Sequence, residues 1–190
     1  MKQQIRVLGI DDSSFEFGET KALVVGVVAR VPSYVESVMR TEVEVDGTDA
    51  TDKMVAMIGR SRYREQVKAV LLDGIALAGF NVLDIDQMHE ALGVPILTVT
   101  RDPPDLRKMK DALEKHFDDW KRRYELVSRH ELKEIRTMHK PLFASGIGLS
   151  WGEFQEIVTL CTVRGAVPEP LRLAHLIASG MTRGESYGRP

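Results

Sequence analysis

The chain of 190 residues is long enough to bury a sizeable core and too short for two full domains, so residues 1–190 are expected to form one domain. With 43% hydrophobic and 28% charged residues it is composed like a globular protein, and its single cysteine, Cys161, excludes both an intramolecular disulfide and a cysteine-based zinc site. The balance of 26 basic against 28 acidic residues excludes a uniformly basic molecule, so any nucleic-acid binding has to be local.

In chain order, Ile5 to Ile10 reads as a short apolar strand that stops at Asp11-Asp12-Ser13-Ser14. Lys21 to Arg30 is almost continuously apolar, as in a strand buried on both faces, and Val31-Pro32-Ser33 breaks it. Its core, Ala22 to Val28, is far too short to cross a bilayer, and no signal region opens the chain, so a cytoplasmic protein without a membrane partner is expected. A third strand covers Val35 to Val45, where Val43 and Val45 alternate with Glu42 and Glu44. Three strands joined by turns make an antiparallel meander.

After Asp46-Gly47 the period changes. Met54, Val55 and Ile58 fall at helical spacing through about Arg60, with Thr48, Asp49, Thr51 and Asp52 as caps or first-turn acids. Val67 to Leu72 is another apolar strand, again closed by an acid and a turn residue, Asp73-Gly74. Leu83 to Leu92 reads as a helix and Val94 to Thr100 as a strand that ends at Arg101-Asp102-Pro103-Pro104. Pro104 suits the first position of a helix to about Tyr124, with Leu106, Met109, Leu113 and Phe117 on its apolar stripe. Leu142 to Ile147 is expected as an edge strand, Trp151 to Arg164 and Pro170 to Ser179 as helices, and the tail from Gly180 as loosely ordered.

This order predicts an α/β fold with a mixed sheet, in which ligands collect beyond the strand ends. Asp11 and Asp73 both stand at such ends. If their strands lie side by side and parallel, two carboxylates come within a few ångströms, and a hard divalent cation relieves their repulsion. Each acid alone is as readily a turn cap; the matched placement favours the shared cation. Other strand-end chemistries fit less well. The position two beyond Asp11 is Ser13 rather than the second acid of a haloacid-dehalogenase phosphatase, and the run from Asp73 to Asn81 lacks the lysine of a phosphate-cradling loop. Gly146-Ile147-Gly148 lacks a third glycine in register for a dinucleotide, and nothing marks a serine nucleophile with its base.

Three segments together resemble endonuclease V: Val7 to Phe15, with its aspartate after the first strand; Val70 to Gly74 with Ala91 to Arg101; and Val167-Pro168-Glu169-Pro170-Leu171-Arg172-Leu173-Ala174-His175. The archaeal branch described as endonuclease dU is the nearer match. The resemblance implies a ribonuclease H-like fold, three antiparallel strands followed by parallel strands and flanked by helices. It also implies a metal-dependent endonuclease that hydrolyses phosphodiester bonds in DNA or RNA at deaminated bases such as uracil or hypoxanthine, in DNA repair, using Mg²⁺ or Mn²⁺. Carried over, Asp11 and Asp73 are metal ligands, His175 assists the attacking water, and an acid early in the helix, Asp49 or preferably Asp52, joins them. Arg101 stands where the family has a lysine, and Tyr34, in Pro32-Ser33-Tyr34, is the nearest counterpart of its strand-opening wedge. Arg101, with the basic cluster Arg60, Arg62, Arg64 and Lys68, would contact the nucleic-acid backbone; solvated helix faces are the plainer account of that cluster. Two rivals remain at this level: a non-catalytic nucleic-acid-binding or adaptor protein on the same scaffold, and a small-molecule hydrolase using the same crevice.

Overall fold

The computed structural model describes residues 4–186. Its elements are β1 (Ile5–Asp12), β2 (Lys21–Val31), β3 (Tyr34–Glu44), α1 (Ala50–Gly59), β4 (Val67–Asp73), a small hairpin of β5 (Ala76–Leu77) and β6 (Asn81–Val82), and α2 (Ile85–Leu92). There follow β7 (Ile96–Thr100), α3 (Leu106–His116), α4 (Trp120–Ser128), β8 (Lys133–Ile135), β9 (Leu142–Ile147), α5 (Trp151–Cys161) and α6 (Glu169–Arg183). No helix among the described residues is long and apolar enough to cross a membrane.

Seven strands form one sheet in the order β3-β2-β1-β4-β7-β9-β8. The first three are the expected antiparallel meander, and β4 and β7 add parallel to β1. The sheet then departs from expectation: β9 pairs antiparallel to β7, and β8 rather than β9 is the edge strand. A mixed sheet flanked by helices is the ribonuclease H-like arrangement that the resemblance implied.

Strand alternation divides the core between two faces. Leu8 and Ile10 of β1, Val24 and Val28 of β2, and Val70 and Leu72 of β4 pack with Met54 and Ile58 of α1 and Met88 and Leu92 of α2. On the other face Val7, Ala69, Leu71, Leu97 and Val99 pack with Phe154, Ile157 and Val158 of α5 and Leu171 of α6. Val25 and Val27 lie beneath Ala174 and Ala178 of α6, so β2 is buried on both sides as its unbroken apolar run requires.

Several helix boundaries differ from the sequence expectation: α2 starts at Ile85 rather than Leu83, and α5 ends at Cys161 rather than Arg164. Asp105, not Pro104, starts α3, because its carboxylate accepts from the N–H groups of Arg107 and Lys108. The predicted long helix breaks at Phe117, whose backbone is extended and whose ring sits 5.6 Å from Phe80 and 4.2 Å beneath the Arg123 guanidinium. Tertiary packing of one aromatic overrides a continuous helical pattern there. At the C-terminal end α6 continues through Arg183, so the start of the tail expected to be loose is helical; residues 187–190 lie outside the described residues.

Candidate active site

The site begins with strand register. Gly9 of β1 pairs with Leu71 of β4 and Ile10 with Leu72, so one further step sets Asp11 opposite Asp73 on neighbouring parallel strands. Such strands lie about 4.8 Å apart. Val7, Gly9 and Asp11 alternate onto one face with Ala69, Leu71 and Asp73, the face covered by α5 and α6.

Gly9 brings α6 to this pair. A Cβ built at Gly9 would lie 2.3 Å from the Pro170 carbonyl carbon and 2.6 Å from the Leu171 nitrogen, so only glycine lets the first turn of α6 rest directly on β1. From that anchor Leu171, Ala174 and Ala178 form the stripe that α6 buries. His175, next to Ala174, reaches Asp11, with Nδ1 2.9 Å from Oδ2.

Asp11 is only 4% exposed, and its Oδ1 accepts from the Asp12 N–H at 2.8 Å. Burial first, then the charges of Asp73 and Asp12, push its carboxyl up to about 8, against weaker pulls from the Asp12 N–H and Arg101. Asp73 shifts upward too, through crowding by protein atoms, while Arg101 and then His175 oppose the rise. Its side chain stays open to solvent, which limits the cost of its charge. Arg101 is exposed at the end of β7, close enough for its charge to act on both carboxylates.

Asp12 is the member that the sequence reading missed. Strand alternation sends it to the opposite face, where Oδ2 accepts from the Ala78 N–H at 2.8 Å and ties the β5–β6 hairpin to the end of β1. That bond and the one from Asp46 N–H to the Ala78 carbonyl hold Ala78 at a φ of 47°. Burial raises the Asp12 carboxyl as well.

Asp49 and Asp52, the expected third ligands, are not brought to Asp11 and Asp73. Asp52 lies in the first turn of α1 and Asp49 is its N-cap residue, and α1 packs on the other face of the sheet. Asp49 Oδ1 accepts from the Glu44 N–H and the Asn81 amide, at 3.0 and 2.7 Å, and Asp52 Oδ1 accepts from the Gln87 amide at 3.2 Å. Neither is among the charges acting on Asp11 or Asp73. Among the described residues no three His, Cys, Asp or Glu side chains form a ready metal cage.

The other basic residues lie at the wrong end of the sheet. Arg60, Arg62 and Arg64 precede β4, whereas Asp73 ends it, and a seven-residue strand spans about 20 Å. They are also engaged locally: Arg60 donates to the Ala56 carbonyl, Arg62 stacks 4.9 Å from the Tyr63 ring centroid, and Arg64 donates to the Leu92 carbonyl that ends α2. Tyr34 opposes Arg30 at the β2–β3 turn, the end of the sheet where β1 begins, so it cannot act as a wedge beside Asp11. Of the expected nucleic-acid contacts only Arg101 stands at the carboxylates.

Solved structures with this fold include that of an Archaeoglobus fulgidus protein of unknown function, 36% identical with a TM-score of 0.85 over 93% of this chain and 98% of that one. Endonuclease V of Ciona intestinalis, in complex with a 24mer DNA containing an inosine followed by a ribo-adenosine, matches at 15% identity and a TM-score of 0.64 over 97% of this chain and 88% of that one. At that identity the likeness shows the shared fold. A relative in Methanothermobacter thermautotrophicus, named UPF0215 protein, is 41% identical over 99% of this chain and 93% of its own length. The family model for endonuclease dU matches residues 3–182, nearly the whole chain, and the protein belongs to the endonuclease dU family.

Proposed function

We propose that this protein is a metal-dependent endonuclease that hydrolyses phosphodiester bonds in DNA or RNA at deaminated bases, uracil or hypoxanthine, as a DNA-repair enzyme. The observation that carries the reading is the Asp11–Asp73 pair, two carboxylates on the same face at the ends of adjacent parallel strands with His175 against one of them. Family membership and the fold shared with endonuclease V support it.

The donor set suits a hard cation. Two crowded carboxylates with raised affinity for positive charge are oxygen ligands, and Mg²⁺ commonly binds one or two carboxylates while water and substrate phosphate fill its remaining positions. A two-carboxylate site therefore needs no third protein acid, which accommodates the remote positions of Asp49 and Asp52. Asp11 and Asp73 would hold the ion, Mg²⁺ or Mn²⁺, which when bound would supply charge neutralisation at the phosphorus centre and an acidified water.

His175 handles the proton. Ionised Asp11 can only accept, so Nδ1 donates to it and Nε2 presents a lone pair. Nε2 is buried and has no hydrogen-bond partner among the described residues, so taking a proton from a water beside the carboxylates would require the ring to turn Nε2 out of its packing. Arg101, exposed at the same strand ends, would bind the phosphate oxygens as attack proceeds.

The test is cleavage of an end-labelled strand holding one uracil or hypoxanthine, with and without Mg²⁺ or Mn²⁺. Metal-dependent cutting that leaves a 3′-hydroxyl and a 5′-phosphate, lost in Asp11→Ala and Asp73→Ala, is expected; undiminished cutting by both variants removes the proposed site. The engagement of Asp49 and Asp52 on the other face favours one rival, a non-catalytic nucleic-acid-binding protein on the same scaffold. Binding without metal-dependent turnover would establish that rival instead.

A further inference from the structure

At the same strand ends, but on the sheet face opposite that of Asp11 and Asp73, lies a cleft of about 220 Å³ that the cutting chemistry leaves unused. Gly74, which follows Asp73, and Thr100, which precedes Arg101, both line it, so it adjoins the strand ends that carry the site. Ile75, Met109, Val127 and Leu132 supply apolar walls. A small, largely apolar recess opening at those strand ends suits a planar base turned out of its stack, which enzymes read by its Watson–Crick edge.

The polar groups of this cleft are biased towards accepting. Thr98 Oγ1 donates to the Ser145 carbonyl at 3.2 Å, which leaves Ser145 Oγ to donate to Thr98 Oγ1 at 2.9 Å. Thr100 Oγ1 donates to the Asp102 carbonyl at 3.1 Å. All three hydroxyl hydrogens are thus committed within the protein, and only lone pairs remain for a ligand.

His130 completes the pattern. Its Nε2 lies 3.0 Å from Asp86 Oδ2, and the same oxygen accepts from Arg129 at 2.9 Å. Although burial pushes the Asp86 carboxyl up, hydrogen bonds from Arg129 and His130 hold it below the usual carboxylate range. An ionised carboxylate cannot donate, so Nε2 carries a ring hydrogen, and in the neutral form of the imidazole Nδ1 is an acceptor. Among the described residues no hydrogen bond engages Nδ1, and His130 lines the cleft.

Deamination changes what a base offers to such a wall. Cytosine and adenine carry a lone pair on the ring nitrogen of the Watson–Crick edge, whereas uracil and hypoxanthine carry an N–H there. We infer that His130, its tautomer set by Asp86, is a specificity-determining residue of this site, with Nδ1 accepting the ring N–H that deamination creates and repelling the lone pair of the parent base. The inference rests on the deaminated-base reading of the function, and it explains how one acceptor serves both a pyrimidine and a purine lesion.

The experiment measures binding of the full chain, without divalent metal, to labelled single strands differing at one base: uracil against cytosine, and hypoxanthine against adenine. Wild type should prefer each deaminated base by on the order of 10-fold, the worth of about one such hydrogen bond gained against an unpaired acceptor. H130A should bring both ratios near one, while H130Q, whose amide oxygen also accepts, should restore part of them; a melting curve for each variant checks folding. No preference in wild type, or an unchanged preference in H130A, overturns the assignment. Cutting assays on the same strands separate this from the nuclease reading. Metal-dependent cleavage with a His130-independent preference sinks the assignment alone, and a His130-dependent preference without cleavage supports the assignment and sinks only the nuclease.

Discussion

Replacing Asp11 by Asn should stabilise the metal-free protein, and the gain should depend on pH. Asn keeps an oxygen for the Asp12 N–H and turns its amide N–H towards His175 Nδ1, which accepts in the other tautomer, while it removes a charge that is 4% exposed and crowded by Asp73 and Asp12. The folded carboxyl sits at about 8, against an unfolded value near 4. Below the unfolded value both states hold the proton and the group is neutral in both. As pH rises the unfolded chain ionises first, so folded stability falls steadily until the folded carboxyl has also ionised. At about 1.4 kcal/mol per tenfold change in proton affinity, the gap sets an upper bound of about 5–6 kcal/mol. Because Asp73 shares the repulsion and remains in water, about 1–3 kcal/mol is the expected gain at pH 8. For a chain of this length that corresponds to several degrees in Tm. Thermal or urea denaturation in EDTA at pH 5 and pH 8 reads it. A gain at pH 8 several times that at pH 5 supports a charge held ready for a cation; an equal gain at both, or none, refutes the electrostatic account of the site.

Gly9→Ala should cost about 3 kcal/mol or more and should abolish cutting, because the added methyl meets the Pro170 backbone and lifts α6, with His175, away from Asp11. Denaturation midpoints and cleavage rates check both, and a stable, active variant would show that α6 is not seated as described. Arg101→Ala should weaken strand binding and lower the slope of log affinity against log salt by about 1, whereas Arg62→Ala and Arg64→Ala should leave both unchanged. Salt titrations followed by anisotropy distinguish these outcomes. Equal losses from all three variants would mean that the strand also crosses the far end of the sheet.

Much of this site was legible in the sequence because its main parts are strand ends. The apolar runs of β1 and β4 stop at Asp11 and Asp73, and a parallel pairing in the register Gly9 to Leu71 then puts the two acids side by side on one face. His175 needed the Pro168-Glu169-Pro170 segment to be noticed, and Gly9 explains physically why that segment lands on β1. Direction along the strands exposes the errors. Residues before β4, such as Arg62 and Arg64, must lie at the end of the sheet opposite Asp73, and Tyr34 at the β2–β3 turn shares that end. The acids of α1 were misplaced for a different reason, since the face a helix covers is set by connection handedness and core packing rather than by its own pattern. Asp12 was hidden by alternation, and the β5–β6 hairpin by its two-residue strands, too short for any periodicity to register. The antiparallel return of β9 left no local signal either, because parallel and antiparallel strands of that length read alike.

Anomalous diffraction from a crystal soaked in Mn²⁺ tests the central claim most directly. A peak bridging Asp11 and Asp73, within about 2.0–2.3 Å of their oxygens, is the predicted result. Manganese bound elsewhere, with both carboxylates left bare at saturating ion, would contradict it.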